Sequence, residues 1–264
     1  MKISIITPCF NAEKTIEKSI QSVVSQRGEI EYIVVDGRST DKTLSIVKRY
    51  SKKYPDIIRY ISEKDNNMTE ALNKGLKMTT GEVVACLNAD DVYLERTFEK
   101  IRNSFKRENY DVVMGNTVVA DEKGGELYIR NPKFVNSELA WEFMGCLVNS
   151  SAVFFKKELI DKIGYFNEDL KYTQDYEFYL RTIKSGAKIF HLNHPISKFT
   201  LWGEQLSDIY SKEMLEETGL YIHNPRLYSF LLKSKILVVL RLLSGVYSYR
   251  SLGAFKRHLK RKFR

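Results

Sequence analysis

Glu82-Val83-Val84-Ala85-Cys86-Leu87-Asn88-Ala89-Asp90-Asp91-Val92-Tyr93 is the stretch on which the fold turns. Its first half, Val83 to Leu87, is a continuous apolar run of the kind a strand buried on both faces requires. The run stops at Asn88, and two adjacent carboxylates, Asp90 and Asp91, follow where the strand surfaces. Like charges side by side are unfavourable unless a cation or a helix end takes them up. Two readings stay open on this stretch alone: an oxygen-rich site for a divalent metal, or a solvated turn capping a helix that begins near Leu94.

Upstream, residues 3–7 read as a first strand, stopped by Thr7-Pro8 because proline lacks the N–H a sheet ladder needs. Residues 12–25 carry Ile16, Ile20, Val23 and Val24 at helical spacing, with Asn11 as the N-cap. A second strand over 31–35 ends at Asp36-Gly37, and Ser39-Thr40-Asp41 opens a helix whose buried stripe is Leu44, Ile46, Val47 and Tyr50. Residues 57–61 form a third strand, followed by a polar loop with Glu63, Asp65, Asn66 and Asn67. A short helix through Ala71, Leu72, Leu76 and Met78 then leads to Thr80-Gly81. Beyond the opening stretch, a helix over 94–105 and a strand over 111–119 continue the alternation. Alternating strands and helices with short connections predict an α/β fold, a mostly parallel sheet with helices on both faces. Ligands of such sheets sit outside the carboxyl ends of the strands. Thr7, Asp36 and the Asn88–Asp91 group all fall at such ends, which favours a functional Asp90-Asp91 pair over a simple cap.

After Val119 the alternation lapses. Asp121-Glu122-Lys123-Gly124-Gly125 reads as a hairpin turn and 126–130 as an antiparallel return strand, making the sheet mixed. A helix or broken helix over 135–143, a strand over 152–155 and a short helix over 158–163 closed by Gly164 follow. Tyr176, Tyr179, Leu180 and Ile183 then define an amphipathic helix ending at Gly186. Asp175 lies in its first turn, where the helix dipole alone favours a carboxylate by about 0.3–1 kcal/mol.

The 264 residues suffice for one large domain with an appendage, and 43% hydrophobic with 28% charged residues is ordinary for a soluble globular chain. Three cysteines, Cys9, Cys86 and Cys146, lack metal-ligand spacing, and an odd number argues against a disulfide framework. A cytoplasmic, reducing setting is the expectation, and the start, Met1 to Pro8, holds no signal-peptide core. The net charge of +9 is localised: residues 218–264 hold 11 Lys and Arg and no acid, leaving 31 basic against 33 acidic residues in 1–217. The expected division is therefore a globular domain over 1–217, with halves 1–120 and 121–217, and a basic helical extension over 218–264. In that extension Ile236 to Leu240 and Leu242-Leu243 are interrupted by Lys233, Lys235 and Arg241, far short of the roughly 20 apolar residues that span a bilayer. An apolar segment with only basic charges suits a peripheral helix on an anionic membrane surface.

Taken in order, Thr7-Pro8 with Asn11, Asp36-Gly37 with Ser39-Thr40-Asp41, Asn73-Lys74-Gly75, Asn88-Ala89-Asp90-Asp91 and the Gln174-Asp175 helix resemble the inverting glycosyltransferases of family 2, with the GT-A fold. The likeness covers roughly residues 1–207. It implies a nucleoside-diphosphate sugar donor, a UDP-sugar first of all, lying against Thr7, Pro8, Asn11, Asp36 and Asn88, with Asp36 at the base. Asp65 and Lys74 fall near base and ribose, Asp90 on the ribose side, Asp91 on Mn²⁺ or Mg²⁺, and Asp175 serves as general base. The acceptor is a hydroxyl of a glycan or lipid-linked molecule, in surface polysaccharide biosynthesis. A sugar hydroxyl is a poor nucleophile and needs such a base, and a departing diphosphate gathers charge that a hard cation neutralises.

Arg38 and Lys42 stand where the family commonly has glycine, and Asn67 where it often has a small residue. Trp202 is a possible acceptor-side or lid residue, and His191 and His194 are weaker candidates for approaching the metal. Two other classes remain as alternatives: a nucleotidyltransferase making a sugar nucleotide, disfavoured by the lack of a glycine-rich, lysine-bearing phosphate loop, and a nucleic-acid-binding protein using the basic tail. No nucleic acid is expected, since acids line the predicted cleft.

Overall fold

A computed structural model describes residues 1–133, 135–138, 140–141, 146–201 and 247–249. Trp202 and the basic extension, apart from 247–249, lie outside the described residues. Ten strands among the described residues join one mixed sheet.

The amino-terminal half follows the expected alternation. Strand β1 (Ile3–Cys9) pairs in parallel with β2 (Ile30–Asp36) and β4 (Val83–Cys86), and β2 pairs in parallel with β3 (Ile58–Ser62). Every residue of β1, β2 and β4 is buried, because helices cover both faces. One face packs with helix α3 (Met68–Met78), whose Ala71, Leu72 and Leu76 meet Ile6, Ile33 and Val84. The other packs with α1 (Ile16–Val24), α2 (Thr43–Lys53) and α4 (Thr97–Arg107). Cys9, Asp36 and Ser62 stand in register, so three strands end along one rim.

Several boundaries differ from the expectations for physical reasons. Asn11 is not the cap of α1: with φ of 49° its Oδ1 accepts from the Thr40 N–H at 2.9 Å, and the helix starts after a turn at Ala12–Thr15. Helix α2 starts at Thr43, with Asp41 Oδ1 accepting the Thr43 N–H at 2.9 Å rather than Ser39 or Thr40 capping it. Helix α4 begins at Thr97 instead of 94, because Arg96 adopts φ of 59° and the preceding Val92–Tyr93 pair forms a short strand, β5.

The second half is antiparallel at its heart. Strand β6 (Val112–Asp121) turns through Asp121–Gly125 into β7 (Glu126–Arg130), as the hairpin reading requires. Strand β8 (Val153–Lys156) enters between β4 and β6, antiparallel to both. The short helix α5 (Glu158–Ile163) closes at Gly164 with φ of 81°, and α6 (Gln174–Lys184) is followed by Gly186 with φ of 72°. Of the helix expected over 135–143, Glu138, Ala140 and Trp141 are helical among the described residues. Strand β9 (Ile189–Leu201) had no counterpart in the sequence reading; it runs parallel to β6 and antiparallel to β5. Strand β10 (Tyr247–Tyr249) adds to β7.

Candidate functional site

The rim at the ends of β1, β2 and β3 is tied together by side chains from the loops that leave it. Asn11 N–H donates to Ser39 Oγ, and Glu13 N–H donates to Asp41 Oδ2, so the first two loops hold each other. Asp36 is fully buried and its carboxylate is filled from within, accepting from Ser62 Oγ at 2.6 Å and from the Ser39 N–H at 3.2 Å. Thr7 also turns inward; its hydroxyl accepts from Tyr32 at 2.9 Å and does not face the rim. Pro8 is buried beside it. Their places position the rim rather than presenting polar side chains to it.

What the rim does present is Phe10, 63% exposed, which the sequence reading passed over. A Cβ placed on Gly37 would lie 3.6 Å from the Phe10 ring and 3.4 Å from an Asp65 carboxylate oxygen, so these three residues flank one spot. The available signal was the aromatic directly after Thr7-Pro8-Cys9, one of two large apolar side chains left exposed among the described residues. Asp65 in turn pairs with Lys74 at 2.5 Å. Lys74 also reaches Glu63 at 2.8 Å and Glu70 at 3.0 Å. Burial works against the ammonium, yet these three carboxylates hold its pKa above the ordinary lysine value.

At the end of β4 the carboxylate pair divides. Asp91 is fully buried; its Oδ2 accepts from Ser151 Oγ and from Asn88 Nδ2 at 3.2 Å, while its Oδ1 is buried with no partner. Burial and the neighbouring Asp90 charge push the Asp91 carboxyl well above the usual range, against the pull of Ser151, Asn88 and Arg130. Asp90 is half-buried and lines a cleft of about 260 Å³ together with Lys14, Lys18, Lys123 and Lys198. Of the pair it is Asp90 that faces this cleft, which Asp121 and Glu122 also line, while Asp91 is fully buried.

Across the sheet, Asp175 is the second residue of α6. Its Oδ1 accepts the Tyr176 N–H at 2.7 Å, and burial raises its pKa against that donor and the Arg130 charge. Arg130, at the end of β7, thus acts electrostatically on both Asp91 and Asp175. Helix α6 is placed by its packing: Trp141 is fully buried, stacks on Tyr176 at 6.3 Å and meets Tyr179 edge-on at 5.7 Å. Asn73 of α3 donates to Phe166 O at 2.9 Å, and Thr69 Oγ1 to Leu170 O at 2.7 Å, anchoring the loop that leads into α6 to the opposite half. Asn67 caps α3, accepting the Glu70 N–H at 2.9 Å, and its amide donates to Glu168 O.

The histidines lie elsewhere. His191 Nε2 is 2.9 Å from Asn116 Oδ1, His194 is exposed, and no three His, Cys, Asp or Glu residues form a metal-binding group among the described residues. Four buried side-chain atoms there lack a partner: Asp91 Oδ1, Asn131 Oδ1, Gln174 Oε1 and Tyr93 OH. Three are acceptors on the segments that meet around Arg130 and Asp175, the pattern of a site awaiting a donor or a cation. No helix among the described residues is long and apolar enough to cross a membrane.

Comparison with known proteins converges on one family. Residues 4–164 match the model described as glycosyl transferase family 2. An uncharacterised glycosyltransferase of Haemophilus influenzae is 30% identical over 81% of this chain and 70% of its own length. An uncharacterised glycosyltransferase of Rickettsia typhi is 30% identical over 71% of this chain and 60% of its own. The minor teichoic acid biosynthesis protein GgaB of Bacillus subtilis is 31% identical over 65% of this chain, which spans only 20% of it. Among solved structures, S. aureus TarS 1-349 in complex with UDP-GlcNAc aligns with a TM-score of 0.65 at 22% identity, over 83% of this chain and 66% of that one. The mannosyltransferase PcManGT of Pyrobaculum calidifontis, in complex with GDP-Man and Mn²⁺, aligns at 0.63 with 19% identity, over 98% and 78%. The fold is GT-A.

Proposed function

The chain belongs to glycosyl transferase family 2, and on that premise we propose that it is a metal-assisted inverting transferase moving a sugar from a nucleoside-diphosphate sugar to a hydroxyl of a glycan or lipid-linked acceptor. The observation that supports the reading is the run of aligned strand ends, with the Phe10–Gly37–Asp65 ledge after β1 and β2 and the Asp90-Asp91 turn after β4, whose last residue, Cys86, feels the Asp175 charge. The complex of TarS with UDP-GlcNAc favours a UDP-sugar donor, and the teichoic acid relative favours a role in surface polysaccharide assembly.

The donor base stacks on Phe10 beside Gly37, which adds no side chain to the ledge, with Asp65 held in place by Lys74. Asn11, beside the ledge, and Asn88, at the turn, contact the remainder of the nucleotide. The carboxylate pair fits a divalent cation of the Mn²⁺ or Mg²⁺ type: Asp91 Oδ1 is a buried acceptor without a donor, and Asp90 supplies an oxygen at the cleft. When bound, such a cation offsets charge on the departing diphosphate. Asp175 accepts the proton of the acceptor hydroxyl as that oxygen attacks the anomeric carbon from the face opposite the diphosphate. Its burial strengthens it as a base, and α6 fixes its direction. The single displacement inverts the configuration at that carbon. The basic segment 226–264 docks the enzyme on an anionic membrane surface at the inner face of the cell membrane; co-sedimentation with vesicles by the full chain but not by a tail-truncated one is the expected outcome, and equal binding contradicts it.

Thermal stabilisation and donor hydrolysis across a nucleotide-sugar panel with Mn²⁺ test the whole reading. One sugar nucleotide should stabilise the protein and release nucleoside diphosphate. Release of pyrophosphate from a nucleoside triphosphate would favour the nucleotidyltransferase alternative instead.

A further inference from the structure

A polar cluster between β6, β7 and β9 is left over by the donor chemistry. Asn116, only 4% exposed, receives His191 on its Oδ1 and donates its Nδ2 to Asn193 Oδ1 at 3.2 Å. Asn131, the residue after β7, donates to the same Asn193 oxygen at 3.3 Å. Its own Oδ1 is buried without a partner. The cluster opens outward through Asn193, which is exposed.

Its position is fixed by register. Val113 and Ala85 both pair with Phe154, so they stand level across β8. Asn116 is three residues beyond Val113 along β6, and Asn88 three beyond Ala85, two past the end of β4, which puts the amide cluster at the height of the carboxylate turn. The register between β6 and β9 shifts on both sides of Asn116, leaving Asn193, His194 and Ile196 outside the pairing. Shifts of this kind re-aim side chains and recur beside functional sites. Gly115 permits this one, since a Cβ there would meet Ile196 Cδ1 at 2.4 Å. Arg130, whose charge acts on both Asp91 and Asp175, immediately precedes Asn131.

An amide ladder that merely held the shifted strands would satisfy its own groups. Here one buried acceptor, Asn131 Oδ1, is left over, and a buried polar atom without a partner is costly. Three carboxamides and an imidazole carry no formal negative charge for a cation, and burial with the Lys133 charge lowers the His191 pKa, which disfavours its charged form. Amides that donate and accept side by side match the paired donor and acceptor character of hydroxyls. We propose that Asn116, Asn131, Asn193 and His191 form a subsite that reads the hydroxyls of a neutral sugar or polyol unit of the acceptor. The inference rests on the transferase reading above and names the substrate class for its acceptor side.

Saturation-transfer NMR on the full chain with saturating UDP and Mn²⁺ tests it, using methyl glucoside, methyl galactoside, N-acetylglucosamine and ribitol as probes, with UDP affinity measured by calorimetry in parallel. At least one probe should receive saturation from the wild type. Asn131→Leu and the exposed Asn193→Ala should each cut that signal at least fivefold while leaving UDP affinity within twofold. UDP binding with no probe signal, or a signal that survives Asn193→Ala and Asn131→Leu, overturns the subsite alone. Failure of the wild type to bind UDP overturns the UDP-sugar donor reading and the subsite proposed on it.

Discussion

Ser151 Oγ donates a hydrogen bond to Oδ2 of Asp91, joining the approach to β8 with the end of β4 across 60 residues of sequence. Both residues are fully buried, and with Asn88 this hydroxyl supplies the donors that offset the desolvation of the carboxylate. Ser151→Ala should therefore destabilise the fold by about 1–3 kcal/mol in urea denaturation. It should also weaken Mn²⁺-dependent UDP binding several-fold, because the carboxyl, already raised by burial, is raised further. Unchanged stability and binding would mean that the hydroxyl is incidental.

Arg38 has φ of 61°, in the region that favours glycine. A non-glycine residue there costs about 1–2 kcal/mol, partly offset by its smaller entropy in the unfolded chain. Arg38→Gly should leave stability equal or raise it by up to about 1 kcal/mol in thermal unfolding. A loss of more than that would show that the guanidinium makes a contact the strain supports.

Glu31 lies at the far end of the sheet from the site and tests the fold's electrostatics separately. Burial opposes its charge, but Ser4, Thr80 and Lys2 hold its pKa down to about 2, and Arg59 pairs with it at 2.7 Å. A depressed carboxylate contributes stability that is full above the unfolded value near 4.5 and is lost as pH falls toward 2. The contribution at neutral pH is of the order of 3 kcal/mol. Glu31→Gln should flatten the acid limb of the stability curve between those values and lower stability at pH 7; a parallel shift with no change in slope would contradict the assignment.

Asp175→Asn should leave UDP affinity within twofold and reduce transfer at least about a hundredfold, since a general base contributes about 10²–10⁴ and the amide cannot replace it. Because burial raises the Asp175 pKa and the base must be ionised, activity should fall on the acid side at a pH above the ordinary aspartate range. Arg130→Met removes a charge that opposes the rise, so its acid limb should move to still higher pH. Turnover retained by Asp175→Asn would reassign the base.

The amino-terminal half was legible because buried parallel strands write themselves as unbroken apolar runs, as in Val83 to Leu87 and Tyr32 to Val35. The hairpin at Asp121–Gly125 and the helix after Thr173 carried equally local signals. Strand β9 was not legible: His191, Asn193, His194 and Lys198 interrupt any alternation, and its partners, Val92 and the whole of β6, are remote in sequence. Residue type misled where geometry intervened. Asn11 is an N-cap residue by chemistry, but its left-handed backbone sends the side chain to Thr40. The sequence located Asp90 and Asp91 at a strand end yet held no information on which would be buried, since that depends on Ser151 arriving from the turn that leads into β8. Phe10 was missed because an aromatic after a buried strand reads as core, and only the fold shows it exposed.

The most direct test of the account is UDP binding by isothermal titration calorimetry with Mn²⁺ and with EDTA, for the wild type, Asp90→Asn and Asp91→Asn. The account predicts micromolar affinity for the wild type with Mn²⁺, weakened at least tenfold by EDTA and by either substitution. UDP affinity that is the same with Mn²⁺ and with EDTA, and unaffected by either substitution, would contradict a metal-assisted donor site at the end of β4.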